Sequence, residues 1–418
     1  MVRTLFFLSA ALYAVPTFHK DVQPILQKHC VSCHRPGEIG PMALRTYQEV
    51  RPWAAAIQQA VKLEKMPPWG ASPAHGKFSN DPTLSAAEKE TLNQWIAAKT
   101  PEGNPKDAPQ PRVFVDGWNI KTPELVLEMP VAYEVPATGT IDYTYFVMPT
   151  NFTEDRWIQS AEVRPGNRAV VHHVIVYVRE PGNPYMRDAV AGVPYVPKRG
   201  GSGGAGEYLV GYTPGKPAMV LEPGKAKLIK AGSDLIFQMH YTSNGKPAAD
   251  RTKVGFNFAK TAPQERVMTV GVANGSFAIP AGADNYPVNS KLEFLGPAHL
   301  VTMWPHMHVR GKSMRYELVD KTGQRQTLLD VPKYDFNWQM RYIPEEPLRL
   351  SSGSAIEVFA TFDNSPNNKH NPDPTKVVRW GDQSWEEMMI GFMEISFDAK
   401  LKPLDVFQRP VRQRAAAE

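Results

Sequence analysis

Ala169-Val170-Val171-His172-His173-Val174-Ile175-Val176-Tyr177 is a run of mainly β-branched apolar residues interrupted by two adjacent histidines. Such side chains suit a pleated, buried strand better than a helix. Runs of the same kind recur along the chain as Leu125–Met129, Asp234–Tyr241, Lys253–Phe258 and Ala355–Phe362, separated by Pro, Gly and Asn. That spacing predicts antiparallel β-sandwich sheets from about residue 113 onward. The 39 prolines, about 9% of the chain against a usual ~5%, agree with a loop-rich β architecture. A boundary is expected near 260, where Thr261-Ala-Pro-Gln follows a strand, dividing the β region into 113–260 and 261–405.

Histidine placement carries the chemistry of this region. Seven of the 11 histidines lie beyond residue 110, and five of them fall in strand-like settings. His172 and His173 are adjacent, His240 lies near the end of another strand, and His306-Met307-His308 is an i, i+2 pair. Side chains two apart share a strand face, so His306 and His308 can converge on one ion. Adjacent side chains point to opposite faces, so His172 and His173 can share an ion only if the strand bends or different ring nitrogens bind. Imidazole serves zinc, copper, iron and nickel alike and does not choose among them. The competing reading, histidines as hydrogen-bonded core residues, fits a single histidine better than three clusters.

The N-terminal quarter reads differently. Cys30-Val31-Ser32-Cys33-His34 holds the only two cysteines in 418 residues, and Cys-x-x-Cys-His is the pattern for covalent c-type haem. The thiols of Cys30 and Cys33 can add to two porphyrin vinyl groups, with His34 as axial ligand. Zinc would need two more soft ligands. A thioredoxin-like pair would need a βαβ setting, and none surrounds it. Val22, Ile25 and Leu26 form a helical stripe before the motif. Ser85-Ala86-Ala87-Glu88 is a capping box opening a helix with Leu92, Trp95 and Ile96 on one face, and Leu84 is its candidate staple. Between these helices lies Lys65-Met66-Pro67-Pro68-Trp69-Gly70. Residues 17–100 resemble a class I cytochrome c domain, a small all-α unit. The resemblance implies Met66 as sixth haem ligand, with Met42 as its rival.

Residues 1–14 combine a short basic start with an apolar stretch ending at Ala14, the pattern of a secretory signal peptide and too short for a transmembrane helix. Residues 101–112 are expected to form a Pro-rich linker. Lys198–Gly206 is glycine-rich but lacks the closing Gly-Lys-Ser/Thr of a phosphate loop, and is read as an ordinary loop. A net charge of +5, small for this length, does not argue for a nucleic-acid partner, and no basic run with interleaved aromatics appears.

From about 115 to 400 the chain resembles the copper type II, ascorbate-dependent monooxygenases, the family of peptidylglycine α-hydroxylating and dopamine β-monooxygenases. His172-His173-Val174-Ile175-Val176, Gln238-Met239-His240-Tyr241, Pro305-His306-Met307-His308 and Glu386-Glu387-Met388 match that family's motifs in order. The resemblance implies two jelly-roll-like β-sandwich domains holding two copper ions. His172, His173 and His240 would bind the electron-transfer copper, and His306, His308 and Met388 the oxygen-binding copper. The segment departs from the animal members in having no cysteine. It also carries Trp304, Ile390 and Phe392 where peptide-amidating members have Arg, Asn and Tyr, so a less polar substrate is implied. Arg310 and Lys312 are read as solvent-facing rather than as an anion site.

The expected function is therefore a periplasmic or secreted copper monooxygenase that uses O2, a small-molecule substrate and a one-electron donor, either ascorbate-like or a redox protein. The fused haem is a candidate relay. The rival expectations are a non-hydroxylating haem–copper electron carrier or copper-binding protein, and a haem-anchored binding module with structural histidines.

Overall fold

Strands dominate the chain from Leu125 onward, while helices are few and gather near the N-terminus. The computed structural model describes residues 15–38, 40–114, 117–197, 204, 206–213 and 217–408. The expected signal peptide (1–14) and most of the glycine-rich loop lie outside the described residues. Two units emerge: the described part of Met1–Trp69 with Pro82–Phe114, and Gly70–Asp81 with the described part of Val115–Glu418. Among the described residues, no helix is long and apolar enough to cross a membrane.

The first unit is built from the helices Gln23–His29, Ala54–Lys62 and Ala86–Ala97 with shorter turns between them. Its core joins Phe18, Val22, Ile25 and Leu26 to Leu84, Leu92 and Trp95. The capping box forms as the sequence predicts: Glu88 N donates to Ser85 Oγ (3.2 Å) and Ser85 N to Glu88 Oε2 (2.8 Å). Glu88 also accepts from Lys28 and pairs with His29 Nε2, each at 3.1 Å, which ties the last helix to the first. Burial raises the Glu88 carboxyl, but the hydrogen bonds from Ser85, His29 and Lys28 outweigh it and pull the group down to about 2.

Two boundaries fall elsewhere than expected. Residues 101–112 are not a free spacer. Phe18 N and Trp95 Nε1 both donate to Pro101 O (2.9 and 3.0 Å), and Arg112 reaches Gln27 O, so the segment is laid along the helical unit. Residues 70–81, expected inside the haem domain, belong to the β unit. Ser72 N donates to Asp330 O (2.8 Å), and Asn80 exchanges bonds with Arg341 O and Ile343 N. In both segments the backbone groups of a loop find partners on a neighbouring element, which local composition does not report.

The β unit is organised by one nine-stranded sheet. Lys225–Ile229 pairs antiparallel with Arg156–Arg164 on one side and parallel with Glu265–Ala273 on the other. The sheet therefore runs unbroken past the boundary expected near 260. A four-stranded sheet, ordered Thr144–Pro149, Asp234–Tyr241, Val171–Arg179, Glu207–Tyr212, covers its first half. The core between them includes Phe146, Val174, Val176, Phe237 and Met239 from one layer and Ile158, Ala161, Val254 and Phe256 from the other. A five-stranded sheet covers the second half: a Cβ at Gly391 would meet Val358 at 2.6 Å and Tyr316 at 3.2 Å. The alternation of Val171–Arg179 then positions the site. Val174, Val176 and Val178 enter the sandwich core, while Ile175 and Tyr177 face a second cluster that includes Trp304 and Phe392.

Candidate metal centres

Strict alternation would separate His172 from His173, and a β-bulge removes that obstacle. In the pairing with Asp234–Tyr241, Val171 faces Tyr241 and His173 faces His240, leaving His172 as the extra residue. Both rings thereby reach the same place. His173 Nδ1 lies 3.2 Å from His172 Nδ1 and 3.3 Å from His240 Nδ1. Each of the three residues offers a ring nitrogen within 4.8 Å of the others. Tyr143 walls the cluster, its ring 5.5 Å from His173 and 4.8 Å from His240. Burial keeps all three imidazoles neutral. It lowers His172, drives His173 well below the ordinary range with help from the neighbouring histidines, and brings His240 down to about 3. Neutral, converging rings are the form that a metal ion binds.

His306 ends the Ala298–His306 strand and His308 lies in the turn just beyond it. Their rings nonetheless sit 5.3 Å apart at 89°. His306 Nδ1 meets Gln339 Oε1 at 2.7 Å and His308 Nδ1 meets Glu386 O at 3.2 Å. Each of those bonds fixes a tautomer and leaves Nε2 as the available nitrogen. His308 Nε2 is buried with no hydrogen-bond partner among the described residues. That orphaned acceptor is what a metal-ready ring requires. Burial lowers the pKa of both rings.

Met388 is buried two residues before Ile390, the cross-strand partner of His306. Beside it, the Glu387 carboxylate accepts from His308 N (2.8 Å) and Arg310 N (2.6 Å), so one side chain fixes the His-x-His turn to the methionine segment. Burial raises Glu387 to about 8 against those bonds and the Arg310 charge. Arg310 corrects its sequence reading: it is 2% exposed and donates to Asn364 Oδ1 and Trp385 O, each at 2.9 Å. Lys312 donates to Asp284 O. Trp304 and Phe392 are cross-strand partners whose rings stack at 5.3 Å, with Phe392 5.9 Å from His306.

Sequence reasoning passed over Tyr334-Asp335-Phe336-Asn337-Trp338-Gln339, a loop segment that touches both clusters. Gln339 holds His306, and Phe336 lies against His172 and His308. Tyr334 Oη donates to Met307 O (2.8 Å) and accepts from Met307 N (3.2 Å). Its only signal in the sequence is aromatic and amide residues interleaved in a stretch without strand alternation.

In the helical unit, Cys33 N and His34 N both donate to Cys30 O (3.1 and 2.9 Å), a helical turn that sets Cys30 and Cys33 three apart on one face. His34 Nδ1 meets Met42 O at 3.2 Å, which makes Nε2 the nitrogen available to a ligand. Gly40 folds against this turn so closely that a Cβ would meet Cys33 O at 2.6 Å and His34 Nδ1 at 2.7 Å. Burial pushes the Cys30 thiol up to about 12 and raises Cys33 as well. Met66 is half-buried beyond the Ala54–Lys62 helix, its N–H on Ala60 O.

No family model and no curated protein matches the chain. Among solved structures it aligns with that of the infectious bursal disease virus Gx strain at 9% identity, covering 71% of this chain and 80% of that one with a TM-score of 0.20. It also aligns with allantoicase from Saccharomyces cerevisiae at 8% identity, covering 64% and 81% with a TM-score of 0.17. Likeness at that level carries no argument about fold or function.

Proposed function

We propose that the β unit is a copper-dependent monooxygenase built from two jelly-roll-like sandwich halves, joined to a cytochrome c-like helical unit with one covalent haem. The observation that carries the reading is the bulge-made cluster of His172, His173 and His240. His173 Nδ1 stands 3.2 Å from His172 Nδ1 and 3.3 Å from His240 Nδ1, close enough for the three rings to share one ion. His172, His173 and His240 would hold one copper; His306, His308 and Met388 would hold the other. A thioether joining two imidazoles as ligands would favour Cu(I) and copper over zinc. Copper, when bound, supplies one-electron redox chemistry and O2 binding.

The reaction is the conversion of a C–H bond and O2, with two electrons and two protons, to an alcohol and water. The chain's own residues supply the setting. Glu387 and Gln339 orient the His306–His308 pair, and burial keeps the imidazoles neutral and ready to bind. Trp304 and Phe392, stacked beside His306, favour an apolar substrate over a peptide carboxylate. In the helical unit the raised Cys30 and Cys33 thiols argue against a thioredoxin-like pair, whose reactive thiol is shifted down. Cys30, Cys33 and His34 would hold the haem, with Met66 as its further ligand and Met42, whose backbone O meets His34 Nδ1, as the rival. Haem, when attached, supplies a one-electron store able to stand in for an ascorbate-like donor. The leader-like residues 1–14 favour a periplasmic or secreted location.

Metal analysis of purified protein matured with haem and copper tests the reading: one iron and two coppers per chain are expected. Iron alone sinks it in favour of structural histidines. Met388→Ala separates the enzyme from a plain electron carrier. Substrate-dependent O2 consumption should vanish while the copper at His172, His173 and His240 remains.

A further inference from the structure

The two histidine clusters lie on different sheets, the first on the four-stranded sheet and the second at the end of a strand of the nine-stranded one, yet one ring touches both. Phe336 stacks on His172 with centroids 5.8 Å apart and 17° between planes. It stands 6.4 Å from His240 and presents an edge to His308 at 6.0 Å and 81°. Residues on either side of it in the chain are anchored. Tyr334 clasps both backbone groups of Met307, the residue between the two histidines of the second cluster. Gln339 holds His306 Nδ1. The turn between them is closed internally by Asp335, whose Oδ1 accepts from Asn337 N and Nδ2 and whose backbone O accepts from Trp338 N, all at 2.9 Å. A Cβ at Gly311 would meet the Tyr334 ring at 2.9 Å and Met307 Cβ at 2.6 Å, so the strap lies directly on the strand that follows the second cluster.

We propose that Tyr334–Gln339 is a strap that fixes the spacing of the two histidine clusters, with Phe336 as the spacer ring packed between them. Phe336 is a positioning residue: it offers no ligand atom and acts through His172 and His308. The role rests on the reading of both clusters as metal centres. A ring anchored through both flanking residues leaves the clusters little freedom to approach or separate.

Two measurements test it, one of them without metal. In metal-free protein carrying isotope-labelled histidine, Phe336→Ala and the bulk-preserving Phe336→Leu should shift the imidazole resonances of both His172 and His308. Shifts confined to one cluster, or to neither, overturn the proposal. In protein loaded with Cu(II), the magnetic dipolar coupling between the two ions should give a single narrow distance distribution. Phe336→Ala should broaden it at least about two-fold, while Phe336→Leu stays near the parent. A Phe336→Ala distribution that superimposes on the parent, with two coppers still bound, also overturns it. Parent protein that binds fewer than two coppers sinks the metal reading and the spacer role with it. The metal-free spectra then still report separately whether the ring lies between the clusters.

Discussion

His173 is the hub of its cluster, with Nδ1 the near neighbour of both other rings. On the proposed two-copper reading, His173→Ala should lower the copper content by one per chain and leave the second site filled, as read by metal analysis after dialysis. The same cluster sets a pH dependence. Unfolded imidazoles titrate at their ordinary value near 6.5, whereas burial holds the folded ones lower, His240 at about 3. Between those values the unfolded chain binds more protons. Stability from keeping these rings neutral is therefore complete above about pH 6.5 and is lost as pH falls toward 3. In metal-free protein the urea midpoint should drop between pH 7.5 and 5, and His240→Gln should flatten that drop. An unchanged slope in the variant would remove His240 as its cause. Gly40 makes the residue-scale case in the helical unit. A side chain there collides with Cys33 O and His34 Nδ1, so on the proposed haem reading Gly40→Ala should cut the yield of covalent haem while the thiols remain. The alkaline pyridine haem spectrum measures it.

Elements explain which parts of the site could be read from the sequence. The apolar run around His172, the capping box at Ser85 and the stripe before Cys30 announce themselves through period and composition, because packing and capping act locally. The coming together of His172 and His173 does not. It depends on a bulge set by the register against Asp234–Tyr241, a partner some sixty residues away. Arg310 departs from its solvent-facing expectation for the same reason: its partners Asn364 and Trp385 are distant in the chain. The strap at Tyr334–Gln339 was invisible because a loop's partners have no period. Its worth can be measured. Tyr334→Phe strips the partner from Met307 N and Met307 O together, and a buried backbone group left unpaired costs about 1–3 kcal/mol. Denaturant unfolding should show a loss of that order. Weaker copper retention at the His306 site but not at the His172 site would mark the loss as local.

At the scale of the β unit, the two halves that the sequence suggests as separate sandwiches share one sheet and one buried charge cluster. Lys227, 0% exposed on the Lys225–Ile229 strand, donates to Glu394 Oε1 at 2.7 Å, Leu209 O at 2.8 Å and Thr269 Oγ1 at 2.9 Å. Glu394 lies on the Ile390–Asp398 strand of the other half and also pairs with Arg341. The parallel pairing of Lys225–Ile229 with Glu265–Ala273 closes the seam between the halves. Two sandwiches on a simple linker would melt independently, whereas a shared sheet with a buried ion pair across its seam must open together. Calorimetry of the β unit should therefore give one transition rather than two. Lys227→Met keeps the bulk of the stem but leaves the Glu394 carboxylate short of a charge in a site closed to water. Breaking a buried pair in this way costs about 3–5 kcal/mol, against about 0–1 kcal/mol for an exposed surface pair such as Lys260–Glu124. Lys260→Met should leave the melting temperature within error, and Lys227→Met should lower it by several degrees while the transition stays single. A split into two transitions in Lys227→Met would show that the charge cluster, not the continuous sheet, couples the halves.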